Sequence, residues 1–237
     1  MNARSPQRID LPPGDPGALL SLAPAHRIKE IVDVLRDRIA RQLVAPGSKL
    51  LEQDLAEEFN APRTAVREAF AALEQRGLIE RIPNRGAVVI RLDMEQVFHI
   101  YDTREVLEGL CVRLATQNAP PESWADLLDL FEGPMVGYVE QADFDAFLSG
   151  YELFRRRALK AAANPVLTHM LDSIYEKTQV LIRRIIILPG RAKAGLQEHR
   201  AVLQAMRRGD ADEAERLRRA NMRSAKACLA RYRKYVL

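Results

Sequence analysis

The stretch APRTAVREAFAALEQRGLIERIPNRGAVV, residues 61–89, constrains the fold of this 237-residue chain more than any other. Asn60-Ala61-Pro62 is tight-turn chemistry, and Pro62 suits the start of a helix, where its missing N–H costs nothing. The following residues carry an apolar stripe at helical spacing, Val66, Phe70 and Leu73, which Leu78 continues. Two short apolar strands follow, Leu78–Ile82 and Ala87–Ile90, with turn chemistry from Pro83 to Gly86 between them. A plain core helix needs only the stripe. This one also sets Arg63, Thr64 and Arg67 in its first two turns, with the two arginines four apart on one face.

Upstream, Ile28, Ile31, Val32, Leu35, Ile39 and Leu43 predict another helix, ended by Pro46-Gly47. Ser48-Lys49-Leu50 reads as a very short strand. Glu52 to Phe59 reads as a second helix with Leu55, Ala56 and Phe59 on one face. Helix, helix, tight turn, helix and β-hairpin make a winged helix-turn-helix, placed at residues 25–92, with Arg91-Leu92-Asp93 as the linker. Beyond Asp93 no strand is evident. Helical patterns run at about 93–118, 122–141, 143–163, 165–188, 193–208 and 210–234, with breaks at Pro120-Pro121, Asn164-Pro165, Pro189-Gly190 and Gly209-Asp210. Asp210 is a candidate N-cap for the last of them. The expectation is a mainly α chain: the winged domain, then an all-α antiparallel bundle of about six helices over residues 93–237.

A helix that reads a DNA major groove presents donors near its N-terminus. Arg63 and Arg67 supply planar guanidinium forks suited to guanine edges and phosphates, and Thr64 supplies a hydroxyl. The helix N-terminus adds unpaired N–H groups. At the hairpin tip Arg85 can enter a minor groove, and Gly86 permits close backbone approach. Bulk charge does not carry this reading: His26 to Arg91 holds 12 basic and 10 acidic residues. The segment from Arg191 onward holds 13 basic and 5 acidic residues, and is read as a solvated helix face.

These residues carry a resemblance. LEQDLAEEFNAPRTAVREAFAALEQRGLIERIPNRGAVV, preceded by PGSKL, resembles the DNA-binding domain of GntR-family bacterial transcription regulators over residues 25–92. The resemblance implies DNA contacts at Arg63, Thr64, Arg67, Arg85 and Gly86, with Gln53 as a weaker contact. Two positions depart from the family: Pro62 stands where a Ser is usual, removing a capping hydroxyl, and Ala65 where a Pro is usual. The helical half is similar to the FCD domain of the FadR-like subfamily.

In VFHIYDTREVLEGLC, Val97, Tyr101, Arg104, Glu108 and Cys111 fall on one side of a helix. An arginine on such a stripe needs an anionic partner. That partner is either a bundle carboxylate or the carboxylate of a small ligand. FCD domains commonly hold a divalent metal through an Asp, a His four residues on, and two further His on the last two helices. On that pattern Tyr151 stands at the Asp position, Arg155 at the first His position, His199 is kept, and Asn221 replaces the last His. One imidazole beside an arginine does not make a Zn²⁺ site, which wants three or four N, S or O donors. The expected pocket is therefore metal-free and formed by Arg104, Tyr151, Arg155, His199 and Asn221. It suits an organic acid or another small anion, unless these residues merely bond one another.

Cys111 and Cys228 have no metal-ligand spacing and read as reduced thiols. No apolar run long enough to span a membrane occurs. Residues 1–24, rich in Pro, Gly and charge, read as a disordered tail without a secretory core. His99 and His169 read as surface or satisfied histidines, and Trp124 as packing between helices. The expected protein is a cytoplasmic, homodimeric, ligand-responsive DNA-binding regulator, not an enzyme, with no cofactor. Two other classes stay open: a helical enzyme using Tyr151, Arg155 and His199, and a scaffold using the winged motif for protein contacts. Neither a nucleophile–base–orienter set nor a Gly-rich phosphate loop supports the enzyme.

Overall fold

The computed structural model describes residues 24–41, 43–82, 86–91 and 93–236. They fall into two compact units, the first ending at Ile90 and the second running from Arg91 onward, with the short segment at the end of the first helix, from Ala40, grouped with the second. The tail expected over residues 1–24 lies outside the described residues, except that Pro24 opens the first helix.

The first unit contains α1 (Pro24–Ala40), β1 (Lys49–Leu50), α2 (Glu52–Glu58), α3 (Arg63–Gln75), β2 (Ile79–Ile82) and β3 (Gly86–Val89). Its core includes Ile31, Leu35, Val66, Phe70, Leu73 and Ile79, all essentially sealed from solvent. After α2 the chain turns at Asn60, whose left-handed backbone (φ +44°) is one that asparagine tolerates. Pro62 sits one residue before α3 as its N-cap and offers no side-chain hydrogen bond. α3 ends when Gly77 enters the left-handed region (φ +67°). There the Leu78 N–H donates to the Leu73 carbonyl at 3.0 Å and the Gly77 N–H to the Glu74 carbonyl at 2.8 Å.

The sheet order is β1-β3-β2, all antiparallel, with Leu50 opposite Ala87 and Ile79 opposite Val89. Ala87 and Val89 are buried and alternate with less buried neighbours, the pattern of a strand with one covered face. The Glu74 carboxylate ties the end of α3 to β2, accepting from the Arg81 N–H at 3.0 Å and from Arg81 Nε at 2.6 Å.

The second unit holds, among the described residues, α4 (Met94–Asn118), a single 3₁₀ turn (Pro121–Trp124), α5 (Ala125–Glu132), α6 (Pro134–Glu140), α7 (Phe144–Ala162), α8 (Pro165–Ile186), α9 (Arg191–Arg207), α10 (Ala211–Arg231) and α11 (Arg233–Val236). α7 and α10 pack along α4, and α9 packs along α10. Four of the helices start on a side-chain cap. Asp93, Asp143, Asn164 and Asp210 accept from the N–H three residues on, at 2.7, 3.0, 3.0 and 3.1 Å. Each such cap satisfies a backbone donor that the helix itself leaves free.

Two boundaries differ from the sequence expectation. The helix expected over 122–141 is a 3₁₀ turn followed by α5 and α6, because Pro134 follows Gly133 and its ring cannot continue a helix from the preceding turn. The helix expected over 210–234 stops at Arg231. No helix of the described residues is long and apolar enough to cross a membrane.

Two apolar clusters fill this unit. One is built on Val112, Trp124, Phe131, Phe154 and Leu203, the other on Val97, Tyr101, Ile185 and Leu229. Along α4, Arg104 and Glu108 fall between the residues of the two clusters. Along α10, Arg218 and Asn221 do the same. A buried polar layer therefore crosses the bundle between two apolar ones.

Candidate nucleic-acid interface and buried polar cavity

On the first unit, Arg63, Thr64 and Arg67 are all exposed, while Ala65, Val66, Ala69 and Phe70 of the same helix face the core. The split follows from the 3.6-residue period of α3. Because Pro62 provides no cap, the backbone N–H groups of Arg63 and Thr64 have no partner among the described residues. They form, with the positive end of the helix dipole, a ready site for an anion. Arg63 has no ion-pair partner among the described residues, whereas Arg67 Nε lies 2.7 Å from Glu52 Oε2 on α2. That contact uses one edge of the guanidinium and leaves 61% of the Arg67 side chain exposed. Gln53 is exposed and donates to Glu57 Oε1 at 3.1 Å.

Arg85 lies outside the described residues. Gly86 is described, and an intramolecular reason requires glycine there. Its φ is +86°, and a Cβ would stand 2.2 Å from the Leu50 carbonyl oxygen on β1. Sequence reasoning assigned this glycine to approach by DNA; packing of β3 against β1 requires it independently.

In the second unit, Arg104, Tyr151, His199 and Asn221 line one cavity of about 60 Å³, together with Tyr101, Arg191 and an apolar wall that includes Leu148, Ile182, Ile185 and Ile186. Four of the five pocket residues expected from sequence thus converge. Arg155 does not join them. Its guanidinium pairs with Asp172 and, at 3.3 Å, with Glu152, and it lies 3.9 Å from the centre of the Tyr175 ring. The physical reason is local: Glu152, three residues earlier on α7, and Asp172 on α8 offer anions that hold the cation. The grouping of Tyr151, Arg155 and His199 that an enzyme would need is consequently not assembled.

Arg104 found the bundle carboxylate that the sequence left open, since its Nη2 lies 2.8 Å from Glu108 Oε1. The residue missed from sequence is Arg218. It is fully buried and all five of its N–H groups are used. Nε and Nη2 donate to Glu108 Oε2 at 3.2 and 2.6 Å, Nη2 also to the Tyr151 hydroxyl at 3.2 Å, and Nη1 to Asn221 Oδ1 at 2.8 Å and to His199 Nε2 at 2.9 Å. The basic C-terminal segment, expected as a solvated face, thus turns Arg218 inward, and Arg191 as well. Arg191 pairs with Glu198 at 2.7 Å. A signal did exist, because Arg218 shares a helical stripe with Ala214, Asn221, Ala225 and Leu229.

Glu108 bridges the two guanidiniums. Burial works against its charge, and Arg218 and Arg104 outweigh burial, bringing its pKa down to about 2. Burial works against the charge of Arg104 and Arg218, and the Glu108 carboxylate between them outweighs it, holding both pKa values above the ordinary arginine value. His199 is neutral, its pKa lowered to about 3 by burial and then by the Arg218 charge. The ring lies between Phe131, stacked at 5.7 Å, and the edge of Tyr151 at 5.1 Å. Its Nδ1 lies 2.7 Å from the Gly195 carbonyl, a partner that can only accept, so the ring proton sits on Nδ1 and Nε2 accepts from Arg218.

These residues do not fit the divalent metal that FCD domains commonly hold. Both His199 nitrogens are engaged, and the nearest group to Nε2 is a guanidinium nitrogen at 2.9 Å. Tyr151 and Asn221 supply no charge, and the neighbouring carboxylates are already held by arginines, Glu108 by Arg104 and Arg218 and Glu198 by Arg191. Among the described residues no group of three or more His, Cys, Asp or Glu is arranged around a metal position.

Comparison with known proteins accords with both units. Residues 27–89 match the family of bacterial regulatory proteins termed gntR, and residues 99–224 match the FCD domain. The chain is 30% identical over 146 residues to an HTH-type transcriptional regulator in the TAR-I ttuE-ttuC' intergenic region of Agrobacterium vitis, covering 60% of this chain and 85% of that one. It is 38% identical over 87 residues to the HTH-type transcriptional repressor RspR of Escherichia coli, a match that spans only 38% of that protein and 37% of this one. The fold matches that of McbR/YncC from E. coli with a TM-score of 0.73 at 22% identity, over 88% of this chain and 98% of that one. A winged helix-turn-helix with an outward-facing basic helix front, joined in one chain to an FCD helical domain, identifies this protein as a transcriptional regulator of the GntR family.

Proposed function

We propose that the chain is a cytoplasmic, ligand-responsive regulator, not an enzyme, that binds an inverted-repeat operator as a homodimer. Residues 25–92 make the DNA-binding domain, residues 93–237 the effector-binding and dimerisation domain, and residues 1–24 a tail. α3 enters the major groove with Arg63, Thr64 and Arg67; Gln53 and the hairpin residues Arg85 and Gly86 make flanking contacts. Two-fold symmetry puts two such helices about one DNA turn apart. The effector is a small anion held in the cavity lined by Arg104, Tyr151, His199 and Asn221. It alters operator affinity only as far as it binds the operator-competent and incompetent states with different strength.

The observation that carries this reading is the front of α3. Arg63, Thr64 and Arg67 are exposed together, beside two backbone N–H groups with no partner among the described residues. The test is fluorescence anisotropy with duplexes from upstream of the protein's own gene, across a range of salt. Binding that weakens log-linearly with salt and prefers one duplex over scrambled sequence is the expected result. Absence of duplex binding at low salt sinks it.

A further inference from the structure

The buried polar layer has a charge and a proton left over. Around the cavity stand three guanidiniums, Arg104, Arg191 and Arg218, and two carboxylates, Glu108 and Glu198, leaving one positive charge. His199 is neutral and adds nothing to the sum. Arg155, nearby, pairs with Glu152 and Asp172, and Glu152 pairs also with Arg156, so this group sums to zero.

The hydrogen bonds show where that charge is available. Arg218 has spent every donor, Arg191 has committed both Nη groups to Glu198 and Ser224, and Arg104 uses Nε and Nη2 only, so that its Nη1 has no partner among the described residues. The Tyr151 hydroxyl accepts from Arg104 Nη2 at 3.3 Å and from Arg218 Nη2 at 3.2 Å. A hydroxyl has two acceptor lone pairs and one proton. With both lone pairs taken by cations, Tyr151 can only donate, and no protein acceptor among the described residues takes its proton. Arg104 and Tyr151 both line the cavity, and much of the rest of its lining is apolar, with Leu148, Ile182, Ile185 and Ile186. At about 60 Å³ the space holds on the order of four or five water-sized groups.

We propose that this cavity binds a small monocarboxylate with a short apolar tail, without a metal ion. The carboxylate accepts from Arg104 Nη1 and from the Tyr151 hydroxyl, and the tail lies on the isoleucine wall. A single negative charge balances the layer. A dicarboxylate brings a second negative charge into a layer that the first already balances. The inference rests on reading this cavity as the effector site.

The test uses the full chain in buffer containing EDTA, with acetate, propionate, butyrate, butyramide, succinate and inorganic phosphate followed by calorimetry and by the shift in melting temperature. The expected result is binding that strengthens from acetate to butyrate, with butyramide, succinate and phosphate at least tenfold weaker. In Tyr151→Phe, which keeps the ring against His199, butyrate binds at least tenfold more weakly. Butyramide binding as well as butyrate overturns the proposal. So does preference for succinate or phosphate, a requirement for added Zn²⁺, or no heat and no melting shift with any carboxylate. Should Tyr151→Phe not fold, the ligand series on the natural chain decides alone. Duplex binding is measured on the same preparation. If it persists while butyrate fails, the ligand assignment alone is lost; if it fails while butyrate binds, the regulator reading alone is lost.

Discussion

Glu52 at the start of α2 holds Arg67 of α3 through a single contact, Oε2 to Nε at 2.7 Å, across fifteen positions of sequence. The Nη edge of the guanidinium stays open to solvent. If Arg67 contacts DNA as proposed, the acidic side chain beside it both orients that arginine and repels phosphates. Glu52→Gln should therefore tighten binding to scrambled duplex more than to operator. The expected loss of discrimination is roughly up to fivefold, the scale of an exposed ion pair. Anisotropy titrations with both duplexes at matched salt measure it; an unchanged ratio removes Glu52 from the reading process.

Arg63 has no such tether among the described residues. Arg63→Ala and Arg67→Ala should each weaken operator binding, by about 1–3 kcal/mol for whichever contacts a base. A residue that touches only phosphate should instead lower affinity equally on all sequences and flatten the salt dependence.

The motif that predicts those contacts was legible because it is local. Turn residues at 60–62 and 83–86, and the spacing of Val66, Phe70 and Leu73, fix α3 and the hairpin without help from distant parts. The polar layer was half legible. Arg104 and Glu108 announce themselves as charged residues on an otherwise apolar stripe of α4. Arg218 hid among the arginines of α10, where Arg216 and Arg223 are the same residue type on exposed positions. Only the position of Glu108, 110 residues earlier, decides which arginine turns inward. The same applies to Arg155, whose partner Asp172 lies on another helix.

Glu108 is the one anion shared by two buried cations. Glu108→Gln should destabilise the helical unit by about 3–5 kcal/mol, since it leaves two guanidiniums without a counter-charge. Urea unfolding followed by circular dichroism tests this; a loss below about 1 kcal/mol would mean that the layer is solvated.

His199 gives a pH signature. Its pKa is about 3 in the fold against 6.5 for the free side chain, so between those values the unfolded chain binds a proton that the folded chain does not. Stability is therefore complete above pH 6.5 and falls as pH drops toward 3, by at most about 1.4 kcal/mol per pH unit from this one group. Glu108, held at about 2 against 4.5, adds its own loss below pH 4.5. Melting temperatures at pH 7.5, 6.5, 5.5 and 4.5 should decline over the last two steps, and His199→Gln should flatten that decline. A profile that is level from 6.5 to 4.5 in the natural chain contradicts the assignment.

Gly86→Ala should unfold or loosen the hairpin, at about 1–3 kcal/mol for the left-handed backbone alone, before the clash with the Leu50 carbonyl is counted. The expected readout is a lower melting transition together with weaker duplex binding. A variant as stable as the natural chain would show that β1 and β3 are less closely joined.

The aspartates at the helix starts have a consequence for how this chain can vary. Tyr151 follows its cap Asp143 by eight residues, and Arg218 follows Asp210 by eight. Because each residue advances a helix by about 100°, the cap sets the clock position at which those two side chains emerge. Inserting one alanine between Asp143 and Tyr151 would leave composition, charge and helix length nearly untouched. It would nevertheless swing the hydroxyl about a quarter-turn away from both guanidiniums. Length between cap and functional side chain is thus a constraint in its own right, whereas an insertion upstream of either aspartate leaves that clock position unchanged.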